Sequence, residues 1–216
     1  MSDTYRTLKA ASEGLFKDRG SKFYAVAFPV RSEKDAWHLL EGLKKKHFKA
    51  NHHCFAWRFG TEGTRFRIHD DGEPSGTAGR PILAQIDLMN LTDVMVVVIR
   101  YFGGTLLGSS GLINAYRESS REALANATFE EKVLKDHFVC DFEYQLMPDV
   151  VQGIKKLGIE IVHETFGDHG TIEIGIRKSK TTALMLQFKA ALLKISTEEA
   201  ENREWPEGIT IKPYQT

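Results

Sequence analysis

The chain has 216 residues, 42% hydrophobic and 27% charged, the make-up of an ordinary globular protein with room for one large or two small domains. Its 29 basic and 29 acidic residues cancel, so the molecule as a whole is no electrostatic magnet for nucleic acid or for an anionic membrane. No apolar run follows Met1, no apolar stretch approaches the ~18 residues of a membrane span, and two cysteines are too few to make a metal cluster alone.

Cys54 and Cys140 sit in apolar, strand-like surroundings and read as small hydrophobes. The expectation is a cytosolic protein with reduced thiols, no signal peptide and no membrane partner. Residues 1–130 carry a net charge of +3 and residues 131–216 a net charge of −3, a split too small to select a partner.

Thr4–Ala11 and Leu15–Val30 contain strand-like alternation, with Asp18-Arg19-Gly20 as the turn between them. Ser32 is placed to cap a helix with apolar positions Ala36, Leu39, Leu40 and Leu43, ending near Lys44-Lys45-Lys46-His47. Those lysines, with Lys49, read either as a solvated helix end or as a basic patch. Cys54–Phe59 and Thr64–Ile68 predict a hairpin closed through Gly60–Gly63, with Arg65 and Arg67 on one face and Phe66 opposite.

His69-Asp70-Asp71-Gly72-Glu73-Pro74-Ser75-Gly76-Thr77-Ala78-Gly79-Arg80-Pro81 packs carboxylates, hydroxyls, glycines and prolines into one loop, which marks irregular backbone. Asp70, Asp71 and Glu73 offer oxygen to a hard cation, but the spacing of a calcium loop is absent. The other reading is a solvated turn ending with Pro81 in the first turn of a helix that runs to Met89.

Val94–Ile99 is too β-branched for a helix and reads as a buried strand. Arg100, Tyr101 and Phe102 follow, then Gly103, Gly104, Gly108 and Gly111, then a helix to about Ala127 with Leu112, Ala115, Tyr116, Ser119 and Ala123 at helical spacing. Strand, glycine loop and helix N-terminus would aim backbone N–H groups at one point, a place suited to an anion. Gly103–Ser110 matches the phosphate-loop pattern except that Ser109 stands where the lysine belongs, which argues against nucleotide hydrolysis. Alternatively, the glycines serve only a tight strand-to-helix connection. Tyr101 and Phe102 read as a base-stacking pair if exposed and as core aromatics if buried.

Nucleophilic catalysis would need Ser75, Ser109 or Cys54 beside a histidine such as His53 or His69, and no nucleophile-elbow motif accompanies them. His52 and His53 are adjacent on a strand and face opposite sides, so they do not share a metal if that strand is regular. No RNP or KH signature is present.

A second unit begins near Glu131. Phe138–Tyr144 predicts a strand, Pro148–Leu157 a helix, Ile159–Thr165 and Thr171–Arg177 a hairpin, Lys180–Leu193 a helix and Ile209–Ile211 a last strand. That β-α-β-β-α-β order is the split βαβ, or ferredoxin-like, pattern.

The segments Asp70-Asp71-Gly72-Glu73-Pro74-Ser75-Gly76-Thr77-Ala78-Gly79-Arg80-Pro81-Ile82-Leu83, Val96–Gly108 and Gly111–Tyr116 together resemble the motifs of the YigZ/IMPACT family. Gly20-Ser21-Lys22-Phe23 and His52–Trp57 extend the resemblance over residues 15–127, and the rest follows the bacterial type of C-terminal domain more loosely. Many bacterial members carry a glycine and a basic residue where this chain has Ser110 and Asn114.

The resemblance implies an α+β fold with two domains. Residues 1–130 would form a helix-covered sheet similar to the second domain of a small-subunit ribosomal protein and the fourth domain of elongation factor G. Residues 131–216 would form a ferredoxin-like plait similar to that factor's third and fifth domains. It also implies a binding or regulatory factor associated with translation, meeting RNA, the ribosome or a translation protein. The expected contact residues are Asp70, Asp71, Glu73, Ser75, Thr77, Arg80, Arg100, Tyr101, Phe102, Gly103, Gly104 and Gly108, with Arg100 as the main cation. No catalytic residue, metal or cofactor is expected; the alternatives are an enzyme for a small anionic substrate in the same cleft and a protein-interaction adaptor.

Overall fold

A computed structural model describes residues 3–214. The chain divides into two units, one of Tyr5–Lys132 and one that joins Asp3 and Thr4 to the chain from Val133 onward.

In chain order the first unit carries β1 (Thr4–Leu8), β2 (Ser12–Asp18), β3 (Ser21–Pro29), α1 (Glu33–Lys46), β4 (His52–Phe59), β5 (Arg65–His69), α2 (Gly79–Leu88), β6 (Val94–Tyr101), α3 (Gly108–Ala125) and β7 (Phe129–Val133). Five strands form one antiparallel sheet in the order β2-β3-β6-β4-β5, and β1 pairs with β7 in a separate two-stranded sheet. The alternation expected over Thr4–Ala11 ends at Leu8, and the polar sequence of β7 carries no strand signal of its own. Neither edge signals itself locally, because the pairing joins two segments at opposite ends of the unit's sequence.

β6 is the centre of the sheet. Val94–Ile99 have no solvent exposure, since both faces of the strand are covered. Val94, Val96 and Val98 pack on one side with Ile82, Ile86, Leu112, Ala115 and Tyr116 from α2 and α3. Met95, Val97 and Ile99 pack on the other with Ala36, Leu40 and Leu43 from α1. A strand buried on both faces has no polar alternation, which explains the continuous apolar run. Each such side chain contributes about 1.5–3 kcal/mol of burial.

Local signals start and stop these elements. The Ser32 side chain accepts from the Asp35 N–H at 3.1 Å to cap α1. Arg19 and Gly20, with φ of 43° and 81°, make the two-residue turn between β2 and β3, where both central residues need the left-handed region. α3 lies so close to β2 that a Cβ on Gly14 would stand 2.3 Å from the Ala123 nitrogen.

The second unit carries β8 (Lys135–Phe142), α4 (Met147–Lys156), β9 (Glu160–Phe166), β10 (Gly170–Arg177), α5 (Thr181–Leu193), α6 (Thr197–Ala200) and β11 (Ile209–Pro213). Its sheet is antiparallel in the order β11-β8-β10-β9. Ile172, Ile174 and Ile176 alternate inward from β10 onto Val150 and Ile154 of α4 and Phe188 of α5. The short α6, not anticipated from the sequence, is set by a capping box between Ser196 and Glu199. Among the described residues no helix is long and apolar enough to cross a membrane.

Candidate functional site

The loop between β5 and α2 is braced by its own carboxylates. Ala78, at the N-cap of α2, gives no side-chain bond. Asp70 takes that role from eight residues upstream, accepting from the N–H groups of Gly76 at 2.8 Å, Ala78 at 3.1 Å and Gly79 at 2.8 Å. Burial works to raise the Asp70 pKa, but these three donors outweigh it and hold the carboxyl below its ordinary value. The positive end of α2 is thus met by the chain's own anion. Asp71 accepts from the His53 backbone N–H at 2.7 Å, and its carbonyl accepts from His52 Nδ1 at 2.8 Å. Thr77 is buried and donates to the Pro74 carbonyl at 2.6 Å.

Glu73 points inward. Its Oε1 accepts from Arg100 Nη1 at 2.6 Å and from the Tyr116 hydroxyl at 2.7 Å, and His52 Nε2 lies 3.8 Å away. The Cys54 thiol lies 3.2 Å from that hydroxyl and 3.0 Å from the Asp70 carbonyl oxygen. Burial pushes the Cys54 thiol and the Tyr116 phenol far above their ordinary values. The thiol is therefore not activated, and its hydrogen-bond partners include no histidine. Ser75 and Ser109 likewise have no histidine bond among the described residues. Phe23 and Phe102 flank the Arg100 guanidinium at 5.3 and 5.5 Å. Its Nε is buried and has no hydrogen-bond partner among the described residues.

The expectation for Arg100 needs correction: it is not a free cation for a guest, because Glu73 neutralises it below the surface. Asp70, Asp71, Glu73 and Thr77 are likewise spent on bonds within the fold. The sequence could not show this, since carboxylate and guanidinium come from different elements.

The glycine loop divides by role. A Cβ on Gly103 would stand 2.0 Å from the Gly20 carbonyl carbon, and the Gly103 N–H donates to Ser21 Oγ at 3.1 Å. That glycine exists for backbone contact with the β2–β3 turn. Gly104 and Gly108 face open space and have φ of +85° and +71°, so they serve the turn itself. Tyr101 turns to the α1 side, its hydroxyl 2.9 Å from His47 Nδ1 and its ring edge-on to Tyr24. Phe102 faces the other way and is 43% exposed, with Leu106 and Ile113 also exposed nearby in the chain. Ser75 and Arg80 are exposed as well. Asn114 accepts from Arg117 Nη2.

Tyr116 and Cys54 complete the Glu73 network but were not among the expected site residues. In the sequence Tyr116 stands as an apolar-face position of α3 and as the last residue of the family segment Gly111–Tyr116. His52, His53, His69 and Cys54 form no metal-holding group among the described residues; the ring of His69 stacks on Phe55.

Residues 19–124 match the family profile described as the Impact N-terminal domain. The chain is similar to the IMPACT family member YvyE of Bacillus subtilis, with 31% identity over 85% of this chain and 84% of that protein. A crystal structure of a hypothetical protein matches all of this chain and 99% of its own, with TM-score 0.70 and 22% identity. The two-domain translational regulator Yih1 is 32% identical over 55% of this chain and 48% of its own, with TM-score 0.37.

Proposed function

The chain belongs to the IMPACT family, and from that premise we propose that it is a cytoplasmic binding and regulatory factor associated with translation. It meets RNA, the ribosome or a translation protein through the face built from loop 70–80 and Arg100–Gly108. The translational part of this reading rests on the family resemblance.

One observation carries the choice of face. The bond from Arg100 to Glu73 ties the two segments together from beneath, while Phe102 remains 43% exposed above the guanidinium. Ser75, Arg80 and Gly104 are exposed on the same two segments. Since Arg100 is already neutralised, the surface recognises its partner mainly through an aromatic ring, backbone amides and Arg80.

We also read the order β11-β8-β10-β9, with α4 and α5 between strands, as a ferredoxin-like plait, and the first unit as the ribosomal-protein-like domain. These readings support contact with the translation apparatus only by fold analogy.

The test is co-sedimentation of the full chain with ribosomes, comparing wild type with a Phe102→Ala, Arg80→Ala double variant. Loss of co-sedimentation in the variant supports the reading, and unchanged binding overturns the assignment of this face. Salt separates the partner types. Contact with RNA phosphates weakens steeply as salt rises, while an apolar protein contact does not.

A further inference from the structure

Outside that face, β5 ends the five-stranded sheet, with no strand beyond it among the described residues. Its pairing runs from Phe55↔His69 to Phe59↔Arg65, so one side of the strand is used by β4. Among the described residues no backbone hydrogen bond joins its other side to another segment. Alternate residues of such an edge direct both N–H and C=O outward, a template for one more strand.

The side chains on this edge are arranged, not merely solvated. Arg67 lies over the rings of Trp37 and Trp57 at 5.1 and 5.7 Å, and Arg65 lies over Phe59 at 5.9 Å. Neither guanidinium has a carboxylate within ion-pair distance among the described residues, although Arg58 on the adjacent strand is paired with Asp87 at 2.6 Å. A cation–π contact with a ring uses none of a guanidinium's N–H donors. Phe66 projects from the opposite face of the strand and is half exposed, with the Arg58 guanidinium 5.5 Å from its ring.

We propose that the β5 edge is a docking site for an extended acidic peptide segment of a partner protein, which adds to the sheet as a sixth strand. Backbone ladder bonds hold the segment, and its side chains alternate with the pleat. Carboxylates at alternate positions face Arg65 and Arg67, and the residue between them is apolar and packs on Phe66. A second copy of β5 is disfavoured on the same edge, because arginine would be brought against arginine. Single-stranded RNA fits less well. Trp37 and Phe66 are exposed and could each meet a base, but a nucleic acid has no peptide N–H and C=O groups with which to bond the open backbone of β5.

The probe is a fluorescent nine-residue peptide alternating glutamate and valine, titrated against the full chain and followed by anisotropy and backbone amide shifts. Controls are a peptide of the same composition in two blocks, an alternating peptide N-methylated at every second residue, an alternating lysine–valine peptide and an oligouridine of similar length. Binding of the alternating acidic peptide, with shifts centred on Arg65–His69, supports the proposal. So does a drop of about tenfold or more in an Arg65→Glu, Arg67→Glu variant that gains affinity for the lysine peptide. Both positions are exposed, so amide spectra of the variant report directly that it remains folded. The proposal is overturned if no acidic peptide binds, if the block or N-methylated peptide binds as tightly, or if oligouridine binds more tightly than the peptide.

Discussion

Arg100 and Glu73 are 27 residues apart in sequence and form an ion pair at 2.6 Å, with side chains only 6% and 3% exposed. The net worth of such a pair against an apolar substitute is small. Breaking it is costly, because one charge is left buried without its counter-ion. Glu73→Gln is therefore expected to lower stability by about 3–5 kcal/mol in urea unfolding. A Glu73→Leu, Arg100→Met double variant should recover much of that loss; if it is no better than the single variant, the pair does more than neutralise itself.

Tyr116 donates to the same carboxylate oxygen, so its hydroxyl is part of what holds Glu73 in place. Tyr116→Phe keeps the ring against Phe23 and removes only the O–H group. A hydrogen bond to a charged group is worth about 1.5–3 kcal/mol, and that is the expected loss in the same unfolding measurement.

Asp70 caps α2 from a distance. Asp70→Ala leaves three N–H groups without their acceptor and is expected to cost about 1–2 kcal/mol. Amide exchange should quicken first at Gly76, Ala78 and Gly79. Equal protection there in variant and wild type would mean that water replaces the cap without penalty.

Gly103 and Gly104 are neighbours with different reasons to be glycine. Gly103→Ala would drive a Cβ to within 2.0 Å of the Gly20 backbone, whereas Gly104→Ala meets open space and pays only for its φ of +85°. The second cost is about 1–2 kcal/mol. Thermal unfolding of both variants should rank Gly103→Ala as clearly the worse.

His53 is buried, and burial drives its pKa below the ordinary value of 6.5 against the upward pull of Asp71. The unfolded chain thus binds a proton more readily than the folded one. Stability from this residue is intact above about pH 6.5 and is lost as pH falls toward the depressed folded value. The Asp70 carboxyl, held below its ordinary 3.8, adds a second loss of the same sign at more acid pH. Urea midpoints measured from pH 8 to pH 5 should fall in wild type and fall less steeply in a His53→Gln variant, the remaining slope coming from His47, whose pKa burial also lowers.

Much of this molecule was readable residue by residue. The buried run Val94–Ile99, the Ser32 cap, the turn at Arg19-Gly20, the amphipathic faces of α1, α3 and α4 and the β9–β10 hairpin all depend on neighbours a few positions apart. Periodicity, capping and turn chemistry are written at that range. The family motifs were legible for the same reason, as continuous strings.

The pairing of β1 with β7, the choice of Asp70 as the cap of α2, and the burial of Arg100 against Glu73 were not legible. In each, a group's role depends on which distant segment lies beside it. A carboxylate in a loop has the same letters whether it faces water, a helix end or a guanidinium. Only the packing of β6 against α2 and α3 removed water from Glu73 and Arg100, and that desolvation converted an expected open cation site into an internal tie.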